Sequence, residues 1–441
     1  MDDEPADTLA AALATRLSKP VADLRRLPGG ASRETWSLTA DGRPLVVRRD
    51  PADAVDAAAM AREAALLTSA ARAAVPVPRL VDHGDTLDGT PYLIMERLDG
   101  ETIPRRLLRD DLFAAVRPRL ARELGGILAR LHTMSPVAGL PDEDPLTALT
   151  GWYETFSEPR PAVEVALRWL EDHRPPASGR RSVVHGDFRN GNLMITPAGV
   201  TGVLDWELAH LGDPAEDLGW LCVKAWRFGS PHPVGGFGSR DDLLAGYAAA
   251  GGIPPVPGEL HWWEVYGTLR WAILCRRQAE RYLSGTDPSI EYAVLGRKVC
   301  EQEHDLFLAL GLTSPVTVAD PLAPTPDSPP HDRPNASALI DAVGAFLMTA
   351  EQPDERLRFH ARVAASALRI ARRELLLGEA HQAAHLTRLK ALGCRTDADL
   401  ATAIRAGTLD ASGADVVATI RASIIDKLTV ANPGHLAIPA S

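Results

Sequence analysis

The 441-residue sequence has few lysines, few cysteines and no long apolar run, and each shortage excludes a class of protein. Its four cysteines lie far apart and form no C-x-x-C pair, which argues against a disulfide scaffold and a structural zinc site. No apolar run approaches the length of a membrane span. Acidic residues outnumber basic ones by 58 to 47, and the net charge of -11 disfavours nucleic acid and membranes as partners.

The remaining composition is that of a globular protein, with 45% hydrophobic and 24% charged residues. The first residues, MDDEPADTL, are acidic where a signal peptide would be basic, so we expect a cytoplasmic protein. Only five of the 47 basic residues are lysines, and none lies between Lys19 and Lys224. Any fixed positive charge that functions within that stretch must therefore be an arginine.

Composition divides the chain into four segments. Residues 1–98 combine short β-branched runs with an Ala-rich helix, and residues 99–312 are mostly helical around a few short strands. Residues 313–335 contain seven prolines and are predicted to be a linker. Residues 336–441 have a helical pattern throughout. The predicted fold class is α+β, with a small N-terminal sheet lobe, a larger helical lobe and a separate all-α C-terminal domain.

Two local features are predicted in the N-terminal lobe. The dipeptide Asp41-Gly42 predicts a two-residue hairpin turn, which places Arg48 opposite Thr35 and points Arg49 to the other face. The Ala-rich helix is expected over residues 51–74, with Asp50 as its N-cap.

The segment VVHGDFRNGNLMITPAGVTGVLDWE, residues 183–207, contains a second predicted hairpin. The apolar runs 193–196 and 201–204 flank a four-residue turn, so we expect Thr196 opposite Thr201.

The same register places Asn192 opposite Asp205, with Asp187 five residues before Asn192. Two oxygen ligands on facing strand ends, beside a third acidic group, suit Mg²⁺ on a phosphate chain. Asp187 is then left to accept a proton from an attacking hydroxyl. Glu207 either reaches a second metal, or lies behind the metal ligands without touching the metal, or faces solvent.

HGDFRNGN followed by LDWE resembles the catalytic and metal-binding segments of the aminoglycoside phosphotransferase/choline kinase-like family, over about residues 25–310. The resemblance implies a bilobal protein-kinase-like fold, with Asp187 as catalytic base and Asn192 and Asp205 as Mg²⁺ ligands. It also implies that His185 orders the loop, that ATP or GTP is the donor, and that a small-molecule hydroxyl is the acceptor. Asp217 matches an acidic position that braces the catalytic loop in this family.

The resemblance also implies a nucleotide site. Gly29, Gly30 and Ser32 open the first hairpin, where the family keeps its phosphate loop. The segment from Met95 through Glu96 to Leu98 matches the connection between lobes, whose backbone meets the base.

Arg48 stands where a kinase usually has a phosphate-binding lysine, and Glu63 of the Ala-rich helix is its expected ion-pair partner. Because a guanidinium is a planar fork, the exchange is not neutral. Two alternatives stay open: an active small-molecule kinase, or a catalytically impaired, pseudokinase-like module that binds a nucleotide or acyl ligand.

Substrate selection is expected from the helical lobe. Trp263, Tyr266 and Arg270 share one face of a predicted helix, although core packing is the commoner role of such aromatics. Arg276 and Arg277 extend the arginine-bearing surface and suggest an acidic acceptor.

The sequence resembles the family branch associated with acyl-CoA dehydrogenases, which implies a hydroxy acid or hydroxyacyl acceptor. The C-terminal segment resembles a helical domain of unknown function. We expect this domain either to contact the kinase-like part of the chain or to form a homo-oligomer.

Overall fold

The computed structural model describes residues 3–27, 33–176, 178–321, 335–349 and 355–438. The chain forms two compact units, and each is described by itself. Unit 1 comprises residues 1–143 and 176–263, and unit 2 comprises residues 144–175 and 264–441. This division differs from the four predicted segments, whose boundaries stay a prediction.

The N-terminal part of unit 1 is an antiparallel five-stranded sheet with the order β1-β2-β3-β5-β4. Its elements are α1 (Asp3–Leu17), β1 (Val21–Arg26), β2 (Glu34–Ala40), β3 (Arg43–Arg49), α2 (Ala57–Arg72), β4 (Leu80–Leu87) and β5 (Thr90–Glu96). The predicted hairpin register is confirmed, because Ala40 pairs with Arg43 and Thr35 pairs with Arg48.

Alternation of side chains along the strands divides the sheet into two faces. Tyr92 and Ile94 of β5 join the buried cluster that includes Leu9 and Leu13 of α1. Leu93 and Met95 join another cluster on the side of α2. Val46 of β3 packs against this second cluster, so Arg48, two residues further on, also faces α2.

The predicted start of α2 is wrong. The helix begins at Ala57, and Asp56 is the N-cap, since its side chain accepts a hydrogen bond from the Ala59 amide. Asp50 is buried, and its carboxylate accepts the backbone N–H of Asp56 and a hydrogen bond from Arg33. It supports the loop before the helix instead of capping the helix.

The remainder of unit 1 is mostly helical and contains two small antiparallel strand pairs, β6–β9 and β7–β8. Its elements are α3 (Pro104–Arg109), α4 (Arg117–Leu131), β6 (Ser182–Val184), β7 (Leu193–Thr196), β8 (Gly199–Val203), β9 (His210–Gly212), α7 (Ala215–Cys222) and α8 (Arg240–Ala249). These elements share a hydrophobic core with α2 and β5.

The β7–β8 hairpin corrects the predicted turn. Thr196 pairs with Gly199 rather than Thr201, so the turn has two residues, and the register shifts between Met194 and Ile195. The positive φ of Gly199, 142°, accommodates the tight connection. As a result Asn192 faces Leu204, whose backbone N–H donates to the Asn192 carbonyl oxygen, rather than Asp205.

Unit 2 is helical among its described residues. The chain order is α5 (Pro145–Glu154), α6 (Pro161–Asp172), α9 (Pro257–Leu283, which begins in unit 1), α10 (Ile290–Gly296), α11 (Val299–Ala309), α12 (Ala336–Thr349), α13 (Glu355–Ala391), α14 (Asp397–Arg405) and α15 (Ala414–Ala431). The predicted α+β class, with an all-helical C-terminal region, is confirmed.

The C-terminal helices share a core with earlier helices of the same unit. Val165 of α6 and Phe307 of α11 belong to one buried cluster with Leu389, Ile420 and Leu428. In the part of the chain that the structure describes, no helix is long and apolar enough to cross a membrane.

Close contact between α4 and α8 depends on glycine. A Cβ at Gly125 would lie 2.0 Å from the Leu243 carbonyl oxygen, and a Cβ at Gly246 would lie 1.9 Å from that of Arg122. Backbone atoms cannot move aside as a flexible side chain can, so these two glycines set the separation of the helices.

We therefore predict that Gly125→Ala lowers the free energy of unfolding by about 1–3 kcal/mol, because the extra methyl group overpacks the contact. The adjacent Gly126→Ala is the matched control. A Cβ there would meet its nearest atoms at 3.8 Å, so this change should be neutral or stabilising by up to about 1 kcal/mol. Urea unfolding of both variants measures the difference. Equal stability of the two would contradict the helix contact described here.

Candidate active site

The loop after β6 begins with a histidine whose two ring nitrogens are both fixed. His185 is fully buried; its Nδ1 accepts the backbone N–H of Asp187 at 3.2 Å, and its Nε2 donates to the Leu204 carbonyl oxygen at 3.1 Å. One acceptor and one donor correspond to a neutral imidazole. Burial lowers the pKa of His185, in agreement with the neutral form.

A buried carboxylate holds the backbone of this loop. Asp217 of α7 is fully buried and accepts the backbone N–H groups of His185 and Gly186, at 2.8 and 3.0 Å. The His132 ring, which follows α4, approaches the same carboxylate at 3.3 Å and hydrogen bonds Tyr247 of α8. Although burial opposes ionisation, these interactions lower the pKa of Asp217, so the carboxylate is charged.

Asp187 lies next to this support, with its carboxylate oriented by three donors. Its Oδ1 accepts hydrogen bonds from Arg189 at 2.9 Å and Trp220 at 3.1 Å, and its Oδ2 accepts one from Asn192 at 2.6 Å. A carboxylate offers about four acceptor positions. One position therefore stays available for a hydroxyl proton.

The side chains of Asn192 and Asp205 have the chemistry that their predicted role as Mg²⁺ ligands requires. The Asn192 amide nitrogen donates to the backbone and side-chain oxygens of Asp187, which leaves the amide oxygen without a donor among the described residues. The Asp205 side chain is partly exposed, and its φ of 63° is unusual for a residue other than glycine. An amide oxygen and a carboxylate are the ligand types that Mg²⁺ prefers.

A guanidinium joins the sheet to this loop. Arg48 Nη1 donates to Glu63 Oε1 at 2.6 Å, as predicted, and Nη2 lies 3.5 Å from Asp205 Oδ1. Burial opposes the positive charge, but Glu63, Asp205 and Glu207 offset that effect and raise the pKa of Arg48.

Arg33 is a member of this cluster that the sequence reasoning missed. Its guanidinium donates to Glu63 and, at 3.1 Å, to Asp50. The Glu63 carboxylate thus accepts hydrogen bonds from two arginines, Arg33 and Arg48. The signal was present, because Arg33 directly follows the predicted phosphate loop, but no spacing rule connects it to Glu63. Arg189 and Trp220, which orient Asp187, were missed for the same reason.

The predicted nucleotide residues are described only in part. Gly29, Gly30 and Ser32 lie outside the described residues. The Glu96 backbone N–H donates to the Arg79 carbonyl oxygen, and Met95 is buried and paired with Val46. Leu98 differs from both, because its backbone makes no hydrogen bond with any described residue.

The predicted substrate residues are buried in α9. Trp263, Tyr266 and Arg270 are each only 4–5% exposed, which is typical of packing within a core. Arg276 and Arg277 are engaged differently, since their guanidiniums lie over the rings of Phe156 and Trp152.

A family profile matches residues 23–263, which is 241 of the 441 residues and includes the loop, the hairpin and the Arg48 cluster; its description is "Phosphotransferase enzyme family". The chain belongs to this phosphotransferase family. A second profile, of a domain of unknown function (DUF6285), matches residues 351–435. The predicted family is confirmed.

Among relatives of this phosphotransferase, acyl-CoA dehydrogenase family member 10 of Mus musculus is 29% identical over 300 residues, which cover 62% of this chain and 28% of the mouse protein. Hygromycin-B 4-O-kinase of Escherichia coli is 25% identical, over 47% of this chain and 63% of the kinase. The chain thus spans less than a third of the length of the mouse relative.

Among solved structures, a macrolide 2'-phosphotransferase from Brachybacterium faecium is similar with a TM-score of 0.46 and 22% identity. The similarity covers 65% of this chain and 94% of that protein.

The neutral, buried state of His185 predicts a pH dependence. Its folded-state pKa lies below the ordinary value of 6.5, so below that pH the unfolded chain takes up a proton that the folded one does not. Stability should therefore fall as the pH drops below about 6.5, by up to about 1.4 kcal/mol per pH unit from this one group.

Chemical unfolding between pH 5 and 7 measures this slope. His185→Gln, which cannot titrate, should show a flatter dependence than the wild type even if its stability is lower throughout. His173→Gln, at an exposed histidine, is the control and should keep the wild-type slope. Identical slopes in the wild type and His185→Gln would contradict the neutral buried form.

Proposed function

We propose that this phosphotransferase moves the γ-phosphoryl group of MgATP, or of MgGTP, to a hydroxyl of a small molecule. The observation that carries the proposal is a pair of contacts, Asn192 with Asp187 and Arg48 with Asp205, which the backbone hydrogen bond from Leu204 to Asn192 connects. Phosphoryl transfer depends mainly on positioning and on stabilisation of charge, which this arrangement can supply.

The proposed base is Asp187. It accepts the proton of the acceptor hydroxyl while the new P–O bond forms, and the bond to the β-phosphate oxygen breaks as the nucleoside diphosphate leaves. The hydrogen bonds from Arg189, Trp220 and Asn192 fix the direction of the carboxylate, so a hydroxyl must approach it from the remaining acceptor position.

The proposed Mg²⁺ ligands are the amide oxygen of Asn192 and the carboxylate of Asp205; when bound, the ion neutralises phosphate charge. His185 holds the two segments in place, because its ring joins the Asp187 backbone to the Leu204 carbonyl beside Asp205. Arg48 would steady the phosphates while Glu63 keeps its guanidinium oriented. Gly29, Gly30 and Ser32 would supply backbone and hydroxyl donors to the phosphates, and Leu98 a free backbone group to the base.

For the acceptor we propose a hydroxy acid or hydroxyacyl compound. Relatives named as acyl-CoA dehydrogenase family members, which match this chain over more than half of its length, support this choice. The relative named hygromycin-B 4-O-kinase supports a hydroxyl as the group that is phosphorylated.

A binding module without turnover is the second candidate, and Arg48 is the observation that favours it. The guanidinium already joins Glu63 and Asp205, so a phosphate oxygen would have to share it with two carboxylates. The two candidates differ in whether bound nucleotide is consumed.

We predict that Asp187→Asn lowers kcat by about 10²–10⁴-fold, because the general base is lost, with a change of less than about threefold in the dissociation constant of MgATP.

Asp205→Ala should instead abolish the metal-dependent rise in unfolding temperature that saturating nucleotide produces. In the wild type, ligand at 100 times its dissociation constant contributes about 2.7 kcal/mol.

Asp85→Asn, at an exposed aspartate of β4, is the control for both measurements and should match the wild type. The assay couples nucleoside diphosphate release to a panel of hydroxy acids and hydroxyacyl thioesters. Nucleotide binding with no turnover on any acceptor, unaltered by Asp187→Asn, would favour the binding module. The absence of any metal-dependent nucleotide binding would overturn the proposal.

A further inference from the structure

Unit 2 contains a cavity of about 610 Å³ whose lining residues all belong to that unit. Cavities of roughly 300–1,000 Å³ are typical of small-molecule sites. The residues proposed above for the base, the metal and the nucleotide do not line it, whereas Arg276, which the sequence suggested for an acidic acceptor, does. Helices α9, α10, α13 and α15 supply most of the wall.

Helices α13 and α15 carry many of the charged and polar groups of the cavity wall. On α13, residues Glu374, Gly378, His381, His385 and Arg388 recur at helical spacing and form one stripe along the cavity. On α15, residues Ser423 and Lys427 are one turn apart and face it as well.

The carboxylates of this wall already have cationic partners. Asp426 accepts from Arg388 at 2.5 Å, and Asp397 accepts from His385 at 3.1 Å. Burial opposes ionisation of Asp397, but the His385 hydrogen bond and nearby positive charges lower its pKa, so the carboxylate is charged.

The cations, in contrast, have donors to spare. An ammonium group has three N–H donors and a guanidinium five. Among the described residues, the only hydrogen bond of Lys427 goes to Glu303, at 3.1 Å, and that of Arg388 goes to Asp426. Both side chains are partly exposed, so the remaining donors can reach a ligand.

Glu303 fixes the Lys427 ammonium in place. This carboxylate is buried in α11 and also accepts a hydrogen bond from Arg160, at 2.9 Å. Burial opposes its ionisation, yet Lys427 and Arg160 lower the pKa of Glu303. A donor that is oriented in advance binds an oxyanion without the entropy cost of ordering a free lysine.

Apolar groups of α9 and α10 also line the cavity, beside the cations Arg276 and Arg297. These groups are Ala279, Tyr282 and Leu283 of α9 and Ala293 of α10, and Val430 of α15 lies on the same helix face as Ser423 and Lys427. A ligand that fills the cavity therefore meets both charged hydrogen-bond donors and hydrocarbon.

Gly378 is a further sign that the cavity accommodates an occupant. Glycine in the interior of a long helix is unfavourable compared with alanine, so a packing reason is expected. A Cβ at Gly378, however, would have no heavy atom within 4 Å. No close contact within the described residues demands this glycine, and its effect is to widen the cavity.

We propose that this cavity binds a small organic anion, with its carboxylate or phosphate held by Lys427 and Arg388 and its apolar body against α9. The unit 2 cavity is then a ligand site of the C-terminal helices, separate in its residues from the site of phosphoryl transfer.

Isothermal titration of the full chain with octanoate, octyl phosphate, octanol and octylamine tests the proposal. We expect at least one of the two anions to bind about tenfold more tightly than octanol and octylamine, because only the anions use the charged donors. The stronger of the two anions identifies carboxylate or phosphate as the preferred group. Lys427→Met should weaken that anion by about tenfold and leave octanol unchanged.

The Gly378 position supplies a pair of variants that keep every charge. Gly378→Trp should abolish binding by filling the cavity, whereas Gly378→Ala adds one methyl group and should bind within about twofold of the wild type. This pair decides the matter even if Lys427→Met does not fold, and near-ultraviolet circular dichroism checks the fold of each variant. Binding that survives Gly378→Trp, octanol or octylamine that binds as tightly as both anions, or no binding at all would overturn the proposal.

Discussion

The contact between Arg48 and its carboxylates is the interaction on which the candidate site depends. A buried charge is costly unless opposite charges and hydrogen bonds surround it, and here Glu63 and Asp205 do so from a helix and from a hairpin end. The planar guanidinium uses one terminal nitrogen for each carboxylate, a division that a lysine ammonium would make with different geometry. Because Glu63 also accepts from Arg33, its carboxylate connects helix α2 to both arginines, and the Arg48 guanidinium extends this connection to Asp205 at the hairpin end.

The loop after β6, which carries Asp187, is held in place by groups that take no part in the proposed chemistry. Asp217 binds two consecutive backbone N–H groups, and the neutral His185 ring connects the loop to the hairpin. Such rigid support lets Asp205 keep a backbone conformation that would otherwise relax, since a positive φ at a residue other than glycine costs of the order of 1–3 kcal/mol. Strain of this kind is tolerated where the surrounding structure overdetermines the position.

The sequence predicts those parts of the site that depend on local rules. A two-residue Asp-Gly turn has one favoured register, which is why Arg48 was correctly placed opposite Thr35. The predicted register of the second hairpin was wrong for two reasons. Gly199 allows a tighter turn, and a register shift accommodates the extra residue. Counting apolar residues reveals neither feature. The prediction of Asp50 as the N-cap of α2 was wrong because a second aspartate, Asp56, lies six residues later and caps the helix instead. Arg33 and the unit 2 cavity escaped because their partners come from distant segments, and side-chain spacing carries no information about tertiary contacts.

The C-terminal helices are more than an addition to the phosphotransferase part of the chain. The buried Glu303 carboxylate of α11 takes one cation from residue 160 and the other, Lys427, from α15. If α15 were absent, Arg160 alone would face a buried carboxylate whose lost hydrogen bond no other described residue replaces, a situation that is strongly destabilising in protein interiors. The apolar cluster of α6, α11 and the C-terminal helices would be opened at the same time. A ligand bound in the adjoining cavity would act on this same network, because Lys427 belongs to the wall of the cavity and to the Glu303 pair.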